Sequence, residues 1–211
     1  LEVAYSGQAE VSTGPIAPGV IGHREKALVP PEGNLAKAKE FLEAAGVGDL
    51  AMTIDCSNDS TYRTIAEMVQ AQLSQIGITV QINAQESGSF WTTGMESEGE
   101  RWKSLQLIVN DFSSLPDPHY ATAWFVRNQV GIWNWERFRS ERFDELFAEA
   151  ATIEDSVARA TLYREMQDLM EESGAYRFLT HGGNPVLYRT TKMGAATRPD
   201  GYPLYIDFEP A

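Results

Sequence analysis

Cysteine is almost missing from this chain: Cys56 is the only one in 211 residues, which excludes an internal disulfide and any multi-cysteine metal site. Histidine is scarce too. His23, His119 and His181 are scattered, and none falls in an HExxH or other metal-binding spacing. The GxSxG nucleophile elbow and the GxxxxGKS/T phosphate loop are both absent. No stretch approaches the roughly 20 continuous apolar residues of a membrane-spanning helix. Positive charge is short as well, with 17 Lys and Arg against 30 Asp and Glu and a net charge of −13. Such a chain repels phosphate backbones and anionic membrane surfaces, so nucleic acid is a poor candidate partner. No cofactor and no metal are expected, and the lone thiol reads as a buried spectator.

What is present suits an ordinary folded domain, with 43% hydrophobic residues and 22% charged ones. Residues 1–33 are rich in Gly, Pro and small side chains and read as an irregular connector. In LAKAKEFLEAAG, Asn34 is a plausible N-cap and Gly46 a C′ stop, with Leu35, Ala38, Phe41, Leu42 and Ala45 on one helical face. MTIDC then reads as a strand. STYRTIAEMVQAQLSQIG follows as a helix whose stripe is Ile65, Val69, Leu73 and Ile76. ITVQINAQ and SLQLIV alternate as second and third strands, with a short helix over SGSFWTTGM between them. Two more helices are expected over SERFDELFAEAATI and DSVARATLYREMQDLMEESG, and strands and turns in the tail. Strand, helix, strand, helix, strand predicts an α/β fold, a mixed sheet flanked by helices.

Ligands of such sheets gather beyond the carboxyl ends of strands. Two of those ends are conspicuously polar. Ser57 and Asn58 follow the first strand, and Asn110, Asp111, Phe112, Ser113 and Ser114 follow the third. Trp133, Asn134 and Trp135 come soon after: two indoles around an amide suit a pocket that stacks a ligand, and equally a loop pinned to the core. His181 completes the candidate set. Asp111 and Asp117 form the one acid pair that suggests a carboxylate-dependent hydrolase, although Asp117-Pro118 also reads as turn and N-cap chemistry.

Taken in order, these pieces resemble the bacterial extracellular solute-binding proteins of family 5, the dipeptide/oligopeptide group that serves ABC importers. GPIAPGVIGH before NLAKAKEFLEAAGV is similar to that family's Gly-Pro-rich turn and "KAKxLLxEAG" helix. MTIDCSND, AQLSQIGITVQI, the strand running to PDP, and FRSERFDELFAEA with LYREMQ follow in the family's order. The resemblance covers residues 14 to about 208. It implies one C-terminal lobe, residues 1–211, of a two-lobe type II periplasmic-binding-protein architecture. Residues 1–33 would lie near the hinge, with the N-terminal lobe outside this chain. Leu1 in place of a methionine fits such a piece.

The implied function is capture of a small solute in the periplasm, with delivery to an inner-membrane ABC permease. A ligand-sensing domain of a transcriptional regulator is the alternative. In peptide binders the family's aspartate that pairs with the ligand's α-ammonium falls on Ser114 here, and the family's tryptophan falls on Asp111. A serine lacks the charge for that contact. A peptide, an opine-like compound or a sugar are therefore all expected solutes.

Overall fold

The computed structural model describes residues 2–182, 186–198 and 202–211. A one-turn helix, α1 (Glu2–Tyr5), precedes a short strand, β1 (Ala9–Val11). After a long irregular stretch come α2 (Leu35–Ala44), β2 (Leu50–Ser57), α3 (Ser60–Ser74) and β3 (Ile78–Gln85). Then follow α4 (Ser87–Phe90), β4 (Leu107–Val109), α5 (Pro118–Ala123), α6 (Glu141–Ala150) and α7 (Ser156–Glu172). The tail contributes β5 (Thr180–Gly182), β6 (Met193–Gly194) and β7 (Glu209–Pro210).

The principal sheet has the order β3-β2-β4, with both pairings parallel. Parallel neighbours need crossovers, and α3 supplies the one between β2 and β3. Ile65 and Ala66 of α3 bury against Ile54, Cys56, Ile78, Val80 and Val109 to make the sheet core. Gly77, at φ 83°, ends that connection in the left-handed region. A second core is mostly helical. Phe143, Leu146 and Ala150 of α6 pack with Tyr163, Met166 and Met170 of α7, joined by Ala121, Phe125, Val126, Phe138 and Ile16. Ser140 and Asp155 cap the two helices by accepting hydrogen bonds from Phe143 N–H and Ala158 N–H.

Residues 1–33 are not wholly irregular, because β1 pairs antiparallel with β5, Glu10 opposite His181. The rest of that segment is held by Ile16 in the helical core and by buried charge. Arg24, 5% exposed, reaches Asp168 and Glu171 of α7 at 2.6 Å each, and Glu171 also accepts from Leu28 N–H at 2.9 Å. Two helices differ from their sequence patterns. No residue of α2 is buried, and Phe41 on its apolar stripe is 64% exposed. In α7 the deep face runs through Tyr163 and Gln167, while Leu162 and Leu169 only flank it. Gln167 belongs there because its amide donates to Gly22 O at 2.8 Å, tying the N-terminal segment to the helix.

Candidate functional site

Parallel pairing brings the polar strand ends together: Cys56 sits opposite Val109 in the register, so Ser57–Asn58 and Asn110–Ser113 leave the same edge of the sheet. Beyond Val109 the chain passes from one core to the other. Phe112 stacks on Trp124 (ring centroids 5.4 Å apart, planes 24°) and meets Phe125 edge-on at 5.5 Å. Trp124 closes α5, and its ring meets that of Trp133 at 5.7 Å and 81°. Together with Trp91, just past α4, these aromatics and Asp111 and Ser113 line a cavity of about 340 Å³. That size lies at the small end of ligand pockets.

Among the described residues, Asp111 is the only charged one lining the cavity. It is exposed and accepts a hydrogen bond from the hydroxyl of Tyr62 in α3. Burial of the ring, and then that bond, push the Tyr62 hydroxyl up from the usual phenol range, so it stays a donor. Two donors beside this region have no partner among the described residues: Trp124 Nε1 and Asn110 Nδ2, both buried. Such groups are costly unless something meets them.

The remaining candidates separate. Ser57 is buried and gives its hydroxyl to Asp59 at 2.5 Å. Asn58 accepts from Arg63 at 3.3 Å and lines a second depression of about 320 Å³ with Ser60, Arg63, Thr64 and Glu67. Ser114 is exposed and bonds the carbonyl of Leu115 at 3.0 Å, outside the cavity lining. His181 lies on the β1–β5 ribbon, hydrogen-bonded to Ser12 Oγ at 3.1 Å. Burial, then His23 nearby, hold its pKa below the usual imidazole range.

Asn134 and Trp135 are spent on structure. Asn134 is fully buried; its amide donates to Phe125 O and Phe138 O at 3.0 and 2.9 Å, and its oxygen accepts from Phe138 N–H at 2.9 Å. That leaves it nothing to offer a ligand, and it locks the 130–138 loop instead. Trp135, 6% exposed, donates to Ile132 O at 2.9 Å and packs edge-on against Phe90 at 5.8 Å. Gly94 permits that approach, since a Cβ there would sit 2.1 Å from the Trp135 ring. Of the three consecutive residues, Trp133 alone reaches the cavity.

Asp117, the second member of the acid pair, is spent on structure. Asp117 caps α5 through His119 N–H at 2.8 Å and is clamped by Arg159 of α7 at 2.9 and 3.0 Å. Among the described residues no group of three His, Cys, Asp or Glu is placed to hold a metal ion. Trp91, Trp124 and Tyr62 were outside the sequence's candidate set. Trp91 follows the carboxyl end of β3, so the rule used for β2 and β4 reaches it; Tyr62 and Trp124 need contacts through space.

A family model for "Bacterial extracellular solute-binding proteins, family 5 Middle" matches residues 1–131. The chain belongs to this family. Among curated relatives, it is 28% identical over 188 residues to a protein named glutathione-binding protein GsiB from Pectobacterium atrosepticum, covering 85% of this chain and 35% of that one. The GsiB of Shigella flexneri serotype 5b is 24% identical over 176 residues, covering 81% and 34%. The chain thus spans about a third of the length of these relatives. Among solved structures, HbpA2 from Haemophilus parasuis superposes with TM-score 0.79 at 22% identity over 98% of this chain and 41% of that one. DppA from Helicobacter pylori, solved with the peptide STSA, gives 0.71 at 25% identity over 85% and 35%. The fold is that of type II periplasmic binding proteins.

Proposed function

We propose that residues 1–211 form one lobe of an extracytoplasmic receptor, which closes with a second lobe over a peptide or other small solute. The receptor then delivers that solute to an ABC permease in the inner membrane, and no bond is made or broken. One observation carries this reading: four aromatic side chains and Asp111 converge beyond the carboxyl ends of parallel strands, where sheets of this kind hold ligands. Family membership supports it, as does the chain's share of its relatives' length, which leaves room for a second lobe. The names of the relatives favour a peptide-like solute, glutathione for GsiB and STSA for DppA. Ser114 and the exposed Asp111 favour a contact other than a carboxylate at position 114, and keep opine-like compounds and sugars in view. The expected location is the periplasm, with residues 1–33 beside the hinge.

A calorimetric and thermal-shift screen of the full-length protein against peptides, opines and sugars tests this. A single solute class should bind and raise Tm, and the isolated lobe should bind it at least about a hundredfold more weakly, because half the pocket and the closure are missing. Submicromolar binding by the isolated lobe, or turnover of any solute, would contradict the proposal.

A further inference from the structure

Resting on the solute-binding reading above, we propose that the cavity receives a quaternary ammonium head of a small solute. Trp91, Phe112, Trp124 and Trp133 supply aromatic surface, and Asp111 and Ser113 are the polar side chains that line the space. A primary ammonium carries three N–H groups, each of which must find an acceptor when water is removed. Among the described residues of this lobe, the side chains lining the cavity offer one carboxylate and one hydroxyl, and an oxygen of that carboxylate already accepts from Tyr62. A trimethylammonium has no N–H to satisfy. It is weakly hydrated, and aromatic rings attract it through their quadrupoles.

The ring geometry suits such a head. Trp124 and Trp133 stand at 81° with centroids 5.7 Å apart, forming a corner of two walls. Phe112 backs Trp124 by stacking at 5.4 Å, which fixes that wall in place. Asp111 provides the opposing charge, and among the described residues no cationic side chain lines the cavity to compete for it.

The test uses the full-length protein with matched pairs: glycine betaine against glycine, and carnitine against its unmethylated amine, read by calorimetry and tryptophan fluorescence. The methylated member of each pair should bind at least roughly tenfold more tightly. Trp133→Ala should weaken it by roughly tenfold and Asp111→Asn by severalfold. Trp133→Phe, which keeps a ring, should retain most of the binding and guards against a folding defect. Equal or tighter binding of the primary amines, or no response to either methylated probe at millimolar concentration, overturns the cage. Glutathione and a tripeptide run on the same preparation separate the two ideas. If they bind, the solute-receptor reading stands and the cage alone falls; if nothing in the panel binds, both fall.

Discussion

Arg159 of α7 holds Asp117 with two nitrogens, Nη1 to Oδ2 at 2.9 Å and Nη2 to Oδ1 at 3.0 Å, while its Nε donates to Ala150 O at the end of α6. One guanidinium therefore ties together α7, the last turn of α6 and the first turn of α5, which carries Trp124 to the cavity. Lysine cannot span that fork. Arg159→Lys and Asp117→Asn should each cost about 1–2 kcal/mol in urea denaturation, the aspartate change also weakening a helix cap. The double variant should cost less than the sum, since both remove the same contact. Additive losses would mean that the pair is not coupled.

Two carboxyls have pKa values held below the usual range. For Glu171, burial alone would raise the pKa, but hydrogen bonds from Leu28 N–H and Arg24 outweigh it; for Asp117 the bonds from Arg159 and His119 N–H do the same. A depressed folded-state pKa means stability that is present above the unfolded value and lost as pH falls through the folded one. Acid unfolding should therefore steepen below about pH 4. Glu171→Gln should flatten that limb, and an unchanged slope would remove Glu171 as its source.

Glu136 works in the opposite sense. Its Oε2 is buried without a partner among the described residues, and desolvation pushes the carboxyl up to about 7. Between the ordinary glutamate range and about 7 the unfolded chain loses this proton while the folded one keeps it. Stability should therefore decline across that window and level off above it. Glu136→Gln should remove the decline and raise Tm at pH 8 by a few degrees. A variant whose Tm follows the same pH curve as the parent would contradict this.

The fold was largely legible because its elements carry periodic apolar patterns: Asn34 accepts the first-turn hydrogen bond expected of it, and the structure adds Ser140 and Asp155 as caps in the same role. Gly46, Gly77 and Gly174 all take positive φ, at 63°, 83° and 70°. Periodicity does not say what covers a stripe, and so α2 displays its apolar face. The site was legible only as a region. Asn110 to Ser113 leave the sheet edge as the pattern required, yet which side chains share a cavity depends on the route from β4 into the helical core. Position 114 illustrates the difference. The resemblance marked Ser114 as informative, while the fold lines the cavity with Ser113 and the Asp111 held by Tyr62.

Asn134 should behave as a keystone of the 130–138 loop rather than as a ligand contact. Removing its amide strands Phe138 N–H and three carbonyl oxygens that now receive it, those of Phe125, Val126 and Phe138. Asn134→Ala should cost about 2–4 kcal/mol in chemical denaturation. Ligand affinity, measured below the lowered transition, should change little. Strong loss of affinity with unchanged stability would return Asn134 to the binding set.

Trp133 and Trp135 offer the sharpest contrast, because two residues apart only Trp133 lines the cavity while Trp135 lies behind Trp91 at 6.3 Å between ring centroids. Trp133 meets Trp124 and faces the cavity, whereas Trp135 is 6% exposed, hydrogen-bonded to Ile132 O and wedged beside Gly94. Truncating a buried tryptophan leaves a large void, so Trp135→Ala should cost about 3–5 kcal/mol of stability. Trp133→Ala removes a side chain that is only partly buried, and its stability cost should stay below about 2 kcal/mol. The binding data should run the other way, with solute affinity falling strongly for Trp133→Ala and little for Trp135→Ala wherever the latter is folded. Urea titration and calorimetry on the two variants decide the matter. Equal losses in both measurements would mean that the loop acts as one rigid unit and that Trp133 has no separate role in the cavity.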